Sequence, residues 1–143
     1  MGKKSAKIAL LIQGFDGEVL NPHYLGYLEC FNRQLFYDAH DVLEELWLAE
    51  RTLPDGLFYK GLIQFAGAFV HLQKGRLRPA VALFKLAQTQ LRKYPSVHLR
   101  LDVRNILAEA DQWIERLEGA NYASNPLADR ATPQLQLQGE EAN

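Results

Sequence analysis

The sequence predicts an all-α fold, a compact bundle of five to six helices built from two helical hairpins plus a C-terminal helix. Three observations support this fold class. Apolar residues recur at helical spacing through most of residues 22–119, no strand pattern of comparable quality occurs, and helix-starting or helix-ending residues separate the apolar segments. The chain has 143 residues, 48% of them hydrophobic, which is the usual size of one domain with a sizeable core.

The N-terminal third opens with an ambiguous segment, residues 1–20, because Gly14 and Gly17 interrupt any long element. Asn21 and Pro22 then predict a helix start, since an Asn side chain can accept a free backbone N–H and Pro lacks a donor that is unpaired there anyway. A second helix is predicted over about 36–50, with a broad apolar arc. Three acidic residues lie opposite that arc, namely Asp38, Asp41 and Glu45.

The third predicted helix ends at Lys74, where Gly75 is well placed as its C-terminal cap. This helix is apolar almost all round, so we expect it at the centre of the bundle. A fourth helix is predicted to open at Pro79, and a fifth runs from an N-cap at Asp102 to Gly119. We expect one helical domain over residues 1–119 and, because periodicity is lost there, a loosely attached tail over residues 120–143.

An internal similarity relates two predicted hairpins. Five pairs of residues match at an offset of 41: Phe31 with Leu72, Gln34 with Gly75, Phe36 with Leu77, Ala39 with Ala80, and Leu43 with Phe84. The order of helix, tight turn and helix resembles tetratricopeptide hairpins, which repeat at about 34 residues. Two hairpins that bury their own faces favour a closed bundle over an open solenoid.

Three stretches of the same region carry a resemblance. FNRQLFYDAHDVLEELW at 31–47 is followed by GLIQ at 61–64 and by HLQKG at 71–75. Together they resemble the small helical family called domain of unknown function 309. The resemblance implies an all-helical fold and brings no established activity with it.

The polar positions of that family can be carried over to this sequence. They fall on Asn32, Asp38, His40, Asp41, Glu44, Gln64 and His71. The sequence departs from the family pattern at three of its positions: Gln34 replaces the turn glycine, and Asp38 and Asp41 replace glutamates.

The residues themselves predict a polar cluster. His40 and Glu44 are four residues apart on the second predicted helix, so their side-chain tips can meet. Gln64 and His71 are seven residues apart and share a face of the third. If these two helices pack antiparallel, as their short connection favours, the four side chains converge in one cleft. The candidate binding residues are His40, Asp41, Glu44, Trp47, Gln64 and His71.

Three interpretations of the cluster stay open. It can be a buried hydrogen-bond network that fixes the register of the helices. It can be a metal or small-ligand site, in which His40, Glu44 and His71 hold zinc or iron while Asp41 supports a histidine ligand. It can also be a metal-free catalytic site with His40 as general base, although no nucleophile has a supporting spacing.

The predicted function is unknown beyond a small binding or protein-interaction module, working alone, as a homo-oligomer or with a protein partner. A metal-dependent, hydrolase-like enzyme using His40, Glu44 and His71 is the alternative. A second alternative is an anion-binding or RNA-binding protein using the basic stretch 74–104, although stacking aromatic residues are scarce there and nucleic acid is less favoured. Whether the protein is an enzyme stays undecided.

Location is predicted from charge and cysteine content. The net charge of −1 points to neither a nucleic-acid nor a membrane partner, and the apolar run at 8–12 is too short to span a bilayer. The lone cysteine, Cys30, cannot form an internal disulfide, so a reducing compartment, the cytoplasm, fits best.

Overall fold

Six α-helices form the part of the chain that the computed structural model describes, residues 3–139. They are α1 (Lys3–Ile12), α2 (Pro22–Asn32), α3 (Phe36–Glu50), α4 (Gly56–Gln73), α5 (Leu77–Leu91) and α6 (Val103–Gly119). Single turns of 3-10 helix follow α1 and α6, at Gln13–Phe15 and Pro126–Ala128. The all-α fold class is confirmed, and the second and third helices predicted from the sequence are α3 and α4.

A short antiparallel hairpin, β1 (Val97–His98) and β2 (Leu101–Asp102), precedes α6. The sequence analysis found no strand there, and the reason is local. The turn residues Leu99 and Arg100 both have positive φ, at 47° and 63°, yet neither is the glycine or asparagine that normally marks such a turn. The Tyr24 hydroxyl donates to the carbonyl oxygen of Leu99 at 3.0 Å and ties the hairpin to α2.

Both N-caps predicted from the sequence are confirmed. Asn21 Oδ1 accepts a hydrogen bond from the backbone N–H of His23 at 2.8 Å, and Asp102 Oδ1 accepts one from that of Asn105 at 3.0 Å. The predicted start of α5 at Pro79 is two residues late, because the helix begins at Leu77. A proline is tolerated in this first turn, where backbone N–H groups have no intrahelical acceptor.

The turns at the ends of α2 and α4 have the same backbone geometry, as the offset of 41 residues predicts. Gln34 and Gly75 are left-handed, with φ of 63° and 72°. The next residue donates its N–H back to the helix in each case, Leu35 to the Cys30 oxygen and Arg76 to the His71 oxygen, both at 2.9 Å. This bonding pattern is the Schellman motif. The structure therefore contains the two predicted hairpins, α2–α3 and α4–α5.

The core is centred on α4, as its all-round apolar pattern predicts. Phe65 and Phe69 of this helix are fully buried, and Phe69 meets the Trp113 ring of α6 edge-on at 5.1 Å between centroids. Gly61 lets α5 approach closely, since a Cβ atom there would lie only 2.8 Å from Leu91 Cγ. α4 packs against both α3 and α5. Side chains on the face of α4 between these two contacts therefore lie between α3 and α5.

Residues 120–139 make contacts with the helices that nothing in the sequence predicted. Asn32 forms two hydrogen bonds with the backbone of Leu135: its Oδ1 accepts from the N–H at 2.7 Å and its Nδ2 donates to the oxygen at 2.9 Å. The Leu135 side chain is buried, and Leu137 pairs with Leu101 of β2. The division into a domain over 1–119 and a tail over 120–143 stays a prediction, and residues 140–143 lie outside the described part.

Within residues 3–139, no helix combines the length and the apolar character needed to cross a membrane.

Candidate ligand-binding cleft

A cleft of about 380 Å³ opens between α3 and α5, with α4 as its floor. The residues from α4 and its end recur every three or four positions, which places them along one stripe of the helix. The cleft is lined by Tyr37, His40 and Glu44 of α3, by Lys60, Ile63, Gln64, Gly67, Val70 and His71 of α4, by Lys74 and Arg76 of the following turn, and by Leu83 of α5.

Two cation–π contacts show how α3 and α4 face each other. Lys60 Nζ lies 4.2 Å from the centroid of the Trp47 ring, and Lys74 Nζ lies 5.7 Å from that of Tyr37. The start of α3 is therefore opposite the end of α4, and the end of α3 is opposite the start of α4. This is the antiparallel packing on which the predicted convergence depends.

His40, Glu44, Gln64 and His71 all line the cleft. The structure thus brings together the four side chains expected to converge, while their role in binding stays a prediction. The other two candidate residues lie outside its wall. Asp41 is buried on another side of α3, and Trp47 is half-buried beneath Lys60.

Two polar atoms of the cleft residues are buried without a hydrogen-bond partner among residues 3–139, Gln64 Oε1 and His71 Nδ1. The interpretation as a buried hydrogen-bond network requires a partner for each imidazole and amide. Gln64 Oε1 and His71 Nδ1 have none among residues 3–139, so that requirement is not met at these two atoms. Burial, followed by the charges of Arg76 and Lys74, lowers the pKa of His71 below its ordinary value. A neutral His71 at pH 7 therefore has a ring nitrogen that lacks a partner.

A second polar group lies where α1 packs on α3. Lys7 Nζ is 3.0 Å from both Asp38 Oδ1 and Asp41 Oδ2, and Lys4 Nζ is 2.7 Å from Glu44 Oε1. Asp41 is only 4% exposed, although the helical wheel placed it opposite the core. The prediction that Asp41 lies on the solvent side of α3 was wrong because α1, which the sequence left ambiguous, covers that side of the helix.

The protonation of Asp41 reflects this packing. Burial alone would raise the pKa of its carboxyl, but hydrogen bonds from Lys7 and His40, together with the charges of both lysines of α1, lower it below the ordinary value. The His40 contact is 3.2 Å from Nδ1 to Asp41 Oδ1. Because an ionised carboxylate only accepts, the Nδ1 atom of His40 carries the donated proton.

The residues that could hold a metal differ from the predicted set. Among the described residues, His40, Asp41 and Glu44 place one ligand atom each within 4.8 Å of one another, and His71 is not in that group. Lys4 and Lys7 already bring positive charge to the same carboxylates. A cation at this group would have to displace them, which weakens the case for a resident metal.

Several residues of the cleft were not predicted from the sequence. Lys60, Gly67 and Lys74 follow the same stripe as Gln64 and His71, so helical spacing was a signal that could have found them. Arg76 reaches the cleft from the turn after α4, and no periodic signal marks it. The remaining new members are the apolar or aromatic side chains Tyr37, Ile63, Val70 and Leu83.

The basic stretch 74–104 does not form one uniform surface. Lys74 and Arg76 line the cleft, whereas Lys85 is paired with Glu118 of α6 at 2.8 Å. The first two cations of the stretch, Lys74 and Arg76, therefore belong to the cleft. Anion or RNA binding by the whole stretch stays a prediction.

A comparison with protein families adds one finding. The family model described as Domain of unknown function (DUF309) matches residues 24–83. Over this stretch the chain is similar to that family, as its motifs predicted. The DUF309 segment covers α2, α3, α4 and the start of α5, and so includes every residue that lines the cleft. No curated protein and no solved structure matches the chain.

Proposed function

We propose that this protein is a binding module for a small molecule that occupies the cleft between α3 and α5. One observation carries the proposal: Gln64 Oε1 and His71 Nδ1 are buried at the cleft without a partner among residues 3–139. A buried polar atom without a hydrogen bond costs about 1–3 kcal/mol of stability. Such a cost is typical of functional sites, where stability is given up for activity or binding.

The size and lining of the cleft support this proposal. Small-molecule sites commonly measure about 300–1,000 Å³ and combine apolar walls with a few converging polar groups. Ile63, Val70 and Leu83 supply the apolar wall here, and Gln64 and His71 supply the polar groups. The cleft has about 380 Å³, which is at the small end of that range.

A matched pair of glutamines tests the unpaired atom. Gln64→Met is expected to keep or raise the melting temperature, because it removes a polar atom that has no partner. Gln88 is buried too, but its Nε2 donates to Asp111 Oδ1 at 2.6 Å. Gln88→Met is therefore expected to cost about 1–2 kcal/mol in urea unfolding. An equal loss in both variants would show that Gln64 is structural and would contradict the proposal.

Binding itself is tested with small probes. 1-Hexanol, hexanoate and hexylammonium share one apolar body and differ in charge, and the NMR signals of the His71 ring and the Gln64 amide report on the cleft. At least one probe is expected to shift both signals. Val70→Phe, which narrows the cleft, is expected to abolish the shifts, whereas Leu86→Phe on an exposed site outside the cleft leaves them unchanged. Failure of all three probes would count against a small-molecule site.

A metal-dependent, hydrolase-like enzyme is the second candidate, favoured by the spacing of His40, Asp41 and Glu44. It is tested by elemental analysis of tag-free protein beside His40→Ala. Near-stoichiometric zinc or iron, lost in the variant, would replace the binding-module proposal.

We also propose that the protein works in the cytoplasm, since its one cysteine, Cys30, is buried and free. A homo-oligomer or a protein partner remains compatible with a binding module, and sedimentation of the purified protein measures the first directly.

A further inference from the structure

We infer that the ligand of the cleft is an organic anion, with its carboxylate or phosphate group beside Lys74, Arg76 and His71 and its apolar part along α4. This inference rests on the proposed small-molecule function and names the chemical class of the ligand.

The charges of the cleft are unbalanced. Lys60, Lys74 and Arg76 line it, and within residues 3–139 none of the three forms an ion pair with a carboxylate. The one carboxylate of the lining, Glu44, is paired with Lys4 of α1 at 2.7 Å. A ligand in the cleft therefore meets an excess of positive charge, which favours an anion.

The cations are not evenly spread along the cleft. Lys60 and Lys74 are 14 residues apart on the same stripe, or about 21 Å along the helix axis. Arg76 lies at the Lys74 end, as does His71, so that end holds two full charges and an imidazole. The C-terminal dipole of α4 disfavours an anion there, and two charge-assisted hydrogen bonds outweigh it.

The rest of the cleft suits an apolar body. Ile63, Val70 and Leu83 lie along the floor and the α5 wall between the two charged ends. Inorganic phosphate alone would leave this wall uncovered. A molecule with an acidic head and a short hydrocarbon or aromatic part uses both features.

An anion at this end changes the protonation of His71. Burial and the charges of Arg76 and Lys74 hold the pKa of His71 below the ordinary value. A bound anion offsets these two charges and so raises the pKa of His71. The other groups that line this part of the cleft are Tyr37, His40 and Glu44 of α3 and Gln64 of α4, of which Glu44 already has Lys4 as its counter-ion. Binding is therefore expected to take up protons near the pH at which His71 titrates.

Isothermal titration with a series of six-carbon probes tests the inference. Hexyl phosphate and hexanoate are expected to bind, 1-hexanol about tenfold more weakly or worse, and hexylammonium not at all. Lys74→Ala combined with Arg76→Ala is expected to weaken both anions at least about tenfold, as the loss of charge-assisted hydrogen bonds requires. The control is Arg92→Ala combined with Lys93→Ala, two basic residues outside the cleft, which should leave affinity unchanged.

The outcomes separate this inference from the proposed function. If 1-hexanol binds as tightly as hexanoate and only Val70→Phe weakens it, the cleft binds small molecules but the anion inference is wrong. If the control variant weakens the anions as much as the cleft variant does, general surface charge is responsible and the inference also fails. If no probe binds and Gln64→Met destabilises the protein as Gln88→Met does, both proposals fail. A binding enthalpy that differs between two buffers of unlike ionisation enthalpy reports proton uptake, and loss of that difference in His71→Phe supports the placement of the head group.

Discussion

Two grooves of the molecule are related by the offset of 41 residues, and they differ in that α1 covers the first while the second is open. Gly26 of α2 and Gly67 of α4 are equivalent, and a Cβ atom on each would lie close to an equivalent residue, 3.3 Å from Val42 Cγ1 and 3.2 Å from Leu83 Cδ1. At Gly26 the same atom would also lie 3.1 Å from Ile12 Cγ2, because α1 covers the groove. No helix covers the second groove in the described part of the chain, and the cleft lies there.

The polar residues follow the same division. His23 and Gln64 are 41 residues apart, and His23 Nε2 lies 2.8 Å from Glu45 Oε1 whereas Gln64 Oε1 has no partner within residues 3–139. Asp41, beside the covered groove, is contacted by Lys7 and His40. The comparison teaches that polar side chains at the covered groove have partners within the protein, among them Asp41, which holds α1 through Lys7, while Gln64 and His71 of the open groove each keep a polar atom available. Four predictions test this division, from the largest expected effect to the smallest.

The largest effect is expected for Asp41, the most buried charge of the covered groove. Asp41→Asn removes the more buried of the two carboxylates that contact Lys7 at 3.0 Å, and it is expected to cost about 1.5–3 kcal/mol in urea unfolding at pH 7. Asp38→Asn is the matched control, because Asp38 also contacts Lys7 at 3.0 Å but its side chain is 30% exposed. Equal losses in the two variants would show that burial of the ion pair does not matter.

The loss at Asp41 should also depend on pH. Its pKa is lowered in the folded protein, so its contribution is present above the unfolded value, about 3.9, and is lost as pH falls through the folded value. The gap in stability between wild type and Asp41→Asn is therefore expected to be constant near neutrality and to narrow below about pH 4. A gap that widens in acid would contradict the assignment.

A smaller effect is expected for Asn32, which holds residues 134–135 through side-chain and backbone bonds. Asn32→Ala removes both side-chain hydrogen bonds to Leu135 and is expected to cost about 1–2 kcal/mol and to speed proteolysis of the C-terminal segment. The equivalent residue in the second hairpin is Gln73, which is exposed and donates only a 3.3 Å bond to Gln34. Gln73→Ala is expected to change neither the free energy of unfolding nor the rate of proteolysis. A loss of stability matching that of Asn32→Ala would show that the two equivalent positions do not differ.

The two hairpin turns allow a prediction that compares the repeats directly. Gln34 and Gly75 share a left-handed backbone, which costs a residue with a Cβ atom about 1–2 kcal/mol. Gln34→Gly is expected to raise the free energy of unfolding by up to about 1 kcal/mol, because glycine relieves the strain but also gives the unfolded chain more freedom. Gly75→Ala is expected to lower the free energy of unfolding by about the same amount. Thermal unfolding of both variants measures this. A loss in Gln34→Gly would mean that its side chain, and not its backbone, stabilises the turn.

What could be predicted from the sequence was what local chemistry determines. The caps at Asn21 and Asp102 need only neighbouring N–H groups, and the central place of α4 follows from its own apolar pattern. The cleft residues His40 and His71 were also found, because spacing along two antiparallel helices decides which side chains face each other.

What was missed depends on contacts between distant segments. The burial of Asp41 requires α1 to pack on α3, and helical spacing within α3 cannot reveal that contact. Asn32 matches a polar position of the family pattern, but its partner Leu135 is 103 residues away in a segment without periodicity. The turn at Leu99 and Arg100 lacks the residues that normally announce a hairpin, so its strands were missed as well.

The smallest change in stability is expected at the open groove, where the cations have no carboxylate partners in the described chain. Lys74→Ala combined with Arg76→Ala is expected to alter the free energy of unfolding at pH 7 by no more than about 0.5 kcal/mol. The same variant should nevertheless raise the pKa of His71, because two of the three causes that lower it are removed while burial remains. An NMR titration of the His71 ring measures this shift, with Arg92→Ala combined with Lys93→Ala as the control that leaves it unchanged.

The sign of the linked stability change follows from the same shift. Because the pKa of His71 is lower in the folded protein, the unfolded chain binds more protons at this residue between the two values, and the contribution of His71 to stability falls as pH drops through the ordinary histidine range. The variant should lose less stability over that range, since its folded and unfolded values lie closer together. A variant that loses as much stability as the wild type over this range, or a His71 pKa that does not rise in the variant, would show that the cleft cations do not act on His71. The open groove would then lack the electrostatic coupling on which its contrast with the covered groove depends.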